Sequence, residues 1–254
     1  MKPYPKLLSV TIITLNESAR IKACIESVAF ADEVVVIDSG SVDDTREIAK
    51  SLGARVIEKS WQGYGKQKQF AVEQAVNDWV LCLDADERVT PELAKEIRAV
   101  MQNPAYSGYA MPRCNRFMGR WLRHGEGYPD LSLRLFDRSK GRWSDDPIHE
   151  KVVLESEAGR LNGDLLHFSE DGVSTYLEKQ NRYTTLQAHE LKRRGKKFSL
   201  VQLILSPLFR FMKFYFLKRG FLDGAPGLIH IVVGCMNSFF KYAKLRELGG
   251  NEDR

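Results

Sequence analysis

Four stretches of this chain are apolar from end to end, and most of them stop at an acidic or amide corner. Residues 8–15 read LSVTIITL and lead into Asn16 and Glu17, residues 33–38 read EVVVID, residues 55–57 are a short third run, and residues 79–83 read WVLCL before Asp84-Ala85-Asp86-Glu87. Runs of this length that are rich in Val and Ile and do not alternate with polar residues describe strands buried on both faces. The text between them has the helical period. Ile21, Cys24, Ile25 and Val28 recur after the capping residues Asn16, Glu17 and Ser18, and Asp43 or Asp44 can open a helix through Lys50. Residues 66–76 form another helical stretch, and Thr90-Pro91-Glu92 opens a further one with proline in the first turn. This alternation predicts an α/β fold with a Rossmann-like, mostly parallel sheet flanked by helices.

Sheets of this class bind ligands beyond the carboxyl ends of their strands. That rule selects Asn16 with Glu17, residues 38–41, and residues 84–87. No GxGxxG follows the first strand and no GxxxxGK[ST] occurs, which excludes a dinucleotide fold and a P-loop. Cys24, Cys82, Cys114 and Cys235 are scattered without metal-type spacing, as expected of reduced thiols in the cytosol. The opening MKPYPKLLSV lacks an apolar signal core, so a cytoplasmic location is expected. Residues 106–168 read as strand and loop and are expected to extend the sheet and build a second cleft wall, and residues 176–192 read as a helix.

The net charge of +5 is local in origin. Residues 192–220 carry nine basic side chains and no acidic one, while the rest of the chain is net acidic. Within residues 198–217 the polar exceptions Ser199, Gln202, Ser206, Arg210 and Lys213 make one narrow helical stripe, and His230, Gly234, Asn237, Lys241 and Lys244 repeat it opposite a broad apolar face. Helices of this kind lie in an interface, so residues 191–254 are expected to be a basic amphipathic region that meets an anionic membrane surface. Pro207, Arg210 and Lys213 argue against a spanning helix. The apolar faces are too wide for a solvated groove binder, and no nucleic-acid partner is expected.

Asp84 and Asp86 stand at i and i+2 on one side of the chain, at the end of a buried strand. Mg2+ or Mn2+ is held by one or two such carboxylates and by substrate phosphates. A dehalogenase-type phosphatase carries its DxD after the first strand with Thr or Val two residues further on; here the motif comes late and Arg88 holds that position. The segments 11–17 (TIITLNE), 36–43 (VIDSGSVD) and 83–87 (LDADE) together resemble, in order and spacing, the signatures of family 2 inverting glycosyltransferases with the GT-A fold. Segments 61–68 (WQGYGKQK), 134–136 (RLF), 148–150 (IHE) and 220–224 (GFLDG) extend the resemblance to the bacterial lipopolysaccharide inner-core β-1,4-glucosyltransferase subgroup over nearly the whole chain.

The resemblance implies a GT-A domain over residues 1–190, with a nucleotide-sugar half to about residue 110 and an acceptor half beyond it. It implies that Leu15, Asn16, Glu17, Asp38 and Ser39 hold the nucleotide's base and ribose, with Asp84 beside them, that Asp86 binds the metal, and that Lys66 and Lys68 face the donor diphosphate. Leu15 stands where Tyr is frequent in the family, and Ser39 where a second Asp is usual. His167 is a candidate third metal ligand. Inversion needs a base across from the leaving nucleotide, and residues 143–150 (WSDDPIHE) offer Glu150, Asp145 and Asp146, with Glu150 favoured because it leads into a strand. Arg134, Trp143 and His149 are expected near the acceptor. The implied reaction moves a hexose, glucose from UDP-glucose, to a lipid-anchored lipopolysaccharide-core acceptor from the cytoplasmic face of the inner membrane. A polyprenyl-phosphate acceptor, another surface polysaccharide, or a non-catalytic nucleotide-sugar-binding scaffold are the other readings of the same residues.

Overall fold

All seven residues of the first strand, β1 (Leu8–Thr14), are buried, and the sheet is built outward from it. The computed structural model describes residues 5–145, 150–168 and 172–250. These fall into two units, one of residues 1–113 and 130–168 and the other of residues 114–129 and 169–254.

In the first unit β1 is followed by α1 (Ile21–Ser27), β2 (Glu33–Asp38), α2 (Thr45–Ser51), β3 (Arg55–Glu58), α3 (Tyr64–Gln74) and β4 (Trp79–Asp84). The strands lie in the order β3-β2-β1-β4 and all pair in parallel. One face buries Val10, Ile12, Val36, Leu81 and Leu83 against Ile21, Cys24 and Ile25 of α1. The other buries Ile13, Val35 and Ile37 against Ala71 of α3. Burial on both faces is why these strands read as unbroken apolar runs.

Next come β5 (Glu87–Val89), α4 (Pro91–Gln102), β6 (Gly108–Phe117), β7 (Arg120–Trp121), β8 (Asp130–Asp137), β9 (Gly141–Trp143), β10 (Val152–Leu154), β11 (Gly159–Arg160) and β12 (Leu165–His167). The chain no longer returns through helices here, and the pairing changes with it. β8 runs antiparallel to β4 and to β6, and β12 runs antiparallel to β5. The sheet is therefore mixed: parallel across β3-β2-β1-β4, and mostly antiparallel beyond, where only the short β11 joins β6 in parallel among the described residues. α4 starts as the sequence indicates: the Thr90 hydroxyl accepts from the Leu93 amide, Pro91 fills the first turn, and Leu93, Ala94, Ile97 and Met101 are buried. The turn into β12 is sewn to this helix start, since the Asp164 carbonyl accepts from both the amide and the hydroxyl of Thr90.

The second unit contains β7 and three helical segments: α5 (Val173–Arg193), α6 (Leu200–Phe211), continued by a π-helical stretch Met212–Leu217, and α7 (Gly224–Gly250), preceded by a 3-10 turn Gly220–Asp223. Asp223 is 2% exposed; its carboxylate accepts from the Arg123 and His124 amides and pairs with the His124 ring. The polar stripe on α7 turns inward. Asn237 donates to Gln180 on α5, and the Lys244 ammonium donates to Asn181, Thr184 and Thr185. Arg210 on α6 pairs with Glu126 and donates to Ser238. The outward faces are the apolar ones, with Val201, Phe209 and Leu217 63%, 66% and 80% exposed. The polar residues face one another because each finds a partner there, and an unpartnered buried polar group would cost more than an exposed leucine.

The Gly163 position tests the seam between α4 and β12. A Cβ there would lie 2.5 Å from the Leu93 backbone nitrogen and Cα. Gly163→Ala should therefore destabilise the protein by about 1–3 kcal/mol, read as a lowered midpoint in urea unfolding at unchanged slope.

Candidate active site

The strand register decides which side chains meet. In β1, Thr14 is paired with Asp38 of β2, and Ile13 with Asp84 of β4, so the two aspartates flank the end of the central strand. Asp38 is fully buried and serves its own loop. One carboxylate oxygen accepts from the Gly40 and Ser41 amides at 2.9 and 2.8 Å, and the other accepts from the Ser41 hydroxyl. That hydroxyl in turn accepts from the Asn16 amide at 2.8 Å. Asn16 takes φ +54, a conformation Asn tolerates, and its side-chain oxygen accepts from the Val42 amide. The first two strand ends thus form one laced corner, with Leu15 and Asn16 exposed on it. Glu17 pairs with Arg20 at 2.9 Å, and burial holds its carboxyl above the usual range despite that partner. Ser39 accepts from Gln67 of α3 at 3.2 Å.

A chain of charges lies at the end of β4. Glu87, fully buried at the start of β5, accepts from the Asp84 amide at 3.0 Å and pairs with Arg134 at 2.8 Å and Arg113 at 3.5 Å. Arg134 reaches Asp84 at 3.2 Å, and Lys68 sits 3.2 Å from Asp84 and 3.1 Å from Glu150. The Trp143 ring lies under both cations, 5.0 Å from Lys68 Nζ and 5.6 Å from the Arg134 guanidinium carbon. Burial opposes charge on Asp84, but Lys68 and Arg134 outweigh it and hold the carboxyl well below the usual carboxylate range. Burial likewise opposes the Arg134 charge, and Glu87 and Asp84 reverse the effect, so its pKa is raised.

Asp86 faces away from this chain, with its Oδ2 3.2 Å from His167 Nε2. Strand pairing makes that contact, because β12 sets His167 opposite Glu87 and the Phe168 amide donates to the Asp86 carbonyl. Asp86 Oδ1 is buried with no hydrogen-bond partner among the described residues, whereas Asp84 Oδ1 lies 3.2 Å from Lys68 Nζ in the ion pair. A hard oxygen donor left unsatisfied at a strand end suits a divalent cation that takes its other ligands from water and phosphate. No group of three or more His, Cys, Asp or Glu side chains converges as a complete metal site among the described residues.

The structure thus gathers Asp84, Glu150, Lys68, Arg134 and Trp143 in one cluster, with Asp86 and His167 beside it. Arg134 and Trp143, expected near the acceptor, are each 4% exposed and turned inward; the Trp143 indole donates to Cys82 Sγ at 3.4 Å. Lys66 and Lys68 cannot both face the donor, because residues two apart on a helix point about 200° apart. Lys68 is 4% exposed and Lys66 lies on the exposed face. Asp145 is exposed, whereas Glu150 is drawn in by Lys68; Asp146 and His149 lie outside the described residues. Sequence reasoning gave no role to Glu87 or Arg113. The available signal was an arginine inside the apolar strand run LSLRLF, which requires a buried carboxylate to meet it.

The family model for Glycosyl transferase family 2 matches residues 9–153. A Rickettsia typhi protein described as an uncharacterized glycosyltransferase is 36% identical over 256 residues, covering 96% of this chain and 88% of its own. The lipopolysaccharide core biosynthesis glycosyltransferase LpsC of Rhizobium meliloti is 34% identical over 252 residues, covering 95% of this chain and 93% of its own. Among solved structures, glucosyl-3-phosphoglycerate synthase from Mycobacterium tuberculosis, in complex with Mn2+, UDP and glucosyl-3-phosphoglycerate, superposes with a TM-score of 0.51 at 18% identity. That match covers 76% of this chain and 82% of the other, and it shares the GT-A-type fold.

The ion chain predicts both a stability loss and a pH dependence. Arg134→Met removes the 2.8 Å partner of the fully buried Glu87, leaving it Arg113 at 3.5 Å, and should cost about 3 kcal/mol in chemical unfolding. Because the folded Asp84 pKa is depressed, its contribution to stability is full above the unfolded value of about 4 and is lost as pH falls below it. Lys68→Met removes the largest cause of that depression, so acid unfolding of the variant should begin at higher pH than in the parent.

Proposed function

The chain belongs to glycosyl transferase family 2 and is a glycosyltransferase, and we propose that it transfers a hexose, glucose from UDP-glucose, with inversion to a lipid-anchored lipopolysaccharide-core acceptor. The observation that carries the reading is the unsatisfied Asp86 Oδ1 just past the end of β4, beside the Asp84–Lys68–Glu150 chain. The core-biosynthesis relative supports the acceptor class. The UDP and Mn2+ bound by the fold relative make that nucleotide and a divalent metal the first to try.

In this reading the laced corner of Leu15, Asn16, Glu17, Asp38 and Ser39 receives the nucleoside. Asp86, with Asp84 beside it and His167 against it, would hold Mg2+ or Mn2+. When bound, the metal supplies charge neutralisation for the diphosphate leaving group. Glu150 accepts the proton of the acceptor hydroxyl, on the far side of Lys68 from Asp84. Lys68 holds the Glu150 carboxylate in place at 3.1 Å, and offers its charge to the departing diphosphate. Arg134 and Trp143 act from behind, orienting Asp84 and Lys68 rather than touching sugar, and Lys66 and Asp145 are left to the rim of the site.

Membrane attachment belongs to the same proposal. The stretch Leu200–Leu217 is 18 residues long with mean hydropathy 1.4, and none of it is buried. Lys213, Lys218 and Arg219 are exposed within or just after it, and Lys196 and Lys197 are exposed just before it. An apolar face rimmed by cations lies flat in an anionic interface at the cytoplasmic side of the inner membrane, where a lipid-anchored acceptor is found.

Two measurements test this. UDP-glucose with Mn2+ should raise the melting temperature of the parent. Asp86→Asn should lose the metal-dependent part of that shift, and Glu150→Gln should keep it while kcat falls about 10^2–10^4-fold. No shift with any nucleotide sugar would favour the scaffold reading, and a shift with another nucleotide would move the donor. For the membrane, Phe209→Glu with Leu217→Glu should abolish co-sedimentation with anionic vesicles while the UDP-induced shift persists. Undiminished binding by this double variant would remove the anchoring claim.

A further inference from the structure

α3 begins at Gly63, whose φ of +95 turns the chain back so that Trp61 meets Tyr64 edge to face, ring centroids 4.7 Å apart. Neither ring is absorbed into the core: Trp61 is 47% and Tyr64 51% exposed. The other tryptophans of this unit, Trp79 and Trp143, are 5% and 4% exposed and belong to the interior. A paired indole and phenol left in solvent at the start of a helix is costly surface unless something covers it.

The pair stands next to Glu150. Tyr64 lies 5.6 Å, ring centroid to Nζ, from Lys68, which is 3.1 Å from Glu150. At Gly65, the residue after Tyr64, a Cβ would lie 2.3 Å from the Ser144 carbonyl oxygen and 3.5 Å from Glu150 Cβ. Only glycine lets the segment that carries Glu150 close so tightly on the helix start. The aromatic rings are therefore set beside the group that must reach the acceptor hydroxyl, with Asp84 and the buried charges of Glu87 and Arg134 behind it.

We propose that Trp61 and Tyr64 are an acceptor subsite, a platform on which a pyranose ring of the glycolipid core stacks its C–H face while its hydroxyl points to Glu150. This rests on the acceptor-glycosylating reading above and adds the residues that seat the acceptor. The polar edge of a sugar needs water or hydrogen-bond partners, whereas its C–H face is apolar. An exposed aromatic pair beside a carboxylate offers one surface to each. Stacking also fixes the orientation of the hydroxyl at little entropic cost, since both rings are already held by their mutual contact.

The test is calorimetric titration of deacylated lipopolysaccharide core oligosaccharide into protein saturated with UDP and Mn2+, alongside titration of UDP alone. Trp61→Ala and Tyr64→Ala should each weaken oligosaccharide binding about tenfold or more, as truncation of an aromatic anchor does. Trp61→Phe and Tyr64→Phe keep a ring and should stay within about threefold of the parent. UDP affinity should be unchanged in all four, which also reports that they are folded. Unchanged oligosaccharide affinity in both alanine variants overturns the platform. A parallel loss of UDP affinity overturns it too, marking the rings as a nucleobase site. A parent protein that binds UDP but not the oligosaccharide overturns the acceptor class itself, before any variant is compared.

Discussion

Arg134 brings a full positive charge to a position 4% exposed, and it is stable there because Glu87 and Asp84 meet one end of its guanidinium at 2.8 and 3.2 Å. Glu87 has no exposure at all, so the pair is not a surface decoration worth a few tenths of a kilocalorie. An isolated charge at either position would cost several kilocalories, and an apolar pair of the same volume would pack at least as well. What the ions supply is placement. Glu87 accepts the Asp84 amide and Arg134 draws the Asp84 carboxylate, so the end of β4 is held from its backbone and its side chain together.

The same links carry charge outward. Lys68 continues the chain from Asp84 to Glu150, the base of the proposed reaction. Asp86 is kept out of this neutralisation and meets only His167 among its described ion pairs. The consequence is a division of labour between two carboxylates separated by one residue. Asp84 is compensated by cations of the protein itself and positions the loop, and Asp86 retains an unsatisfied oxygen, the one the proposed divalent cation would take.

Much of the first unit was legible in the sequence because burial on both faces leaves a continuous signal. Residues 8–15, 33–38, 55–57 and 79–83 became β1 to β4 within a residue or two, and the acids at their ends lie where parallel sheets place ligands. Legibility fell where a property depends on partners far apart in the chain. Glu87 and Arg134 are 47 residues apart, and no local pattern announces their contact. The antiparallel half of the sheet was visible only as strand and loop, since its pairing is set by contacts and not by period. Trp143 and Trp61 show the limit most clearly. Both are tryptophans beside polar residues, and only the fold tells the buried support from the exposed ring.

The helices of the second unit show why a polar stripe alone does not say which side faces water. In α7 the sequence displays one polar and one apolar face, and a soluble protein would turn the polar one outward. Here Asn237 and Lys244 are satisfied by α5, and the apolar side is left open. That inversion is stable in water only at the expense of exposed leucine and phenylalanine, so it makes physical sense where a low-dielectric surface takes the place of solvent. The cations of residues 192–219 complete the picture. Each basic side chain near an anionic leaflet contributes about 1 kcal/mol, within a Debye length. Lys196 and Lys197 sit just before the apolar stretch and Lys218 and Arg219 just after it, where inserting its middle would leave them at the level of the headgroups. In the proposed attachment, insertion by the apolar face and attraction by the flanking cations act together, and Arg210 takes no part because it is committed to Glu126 and Ser238.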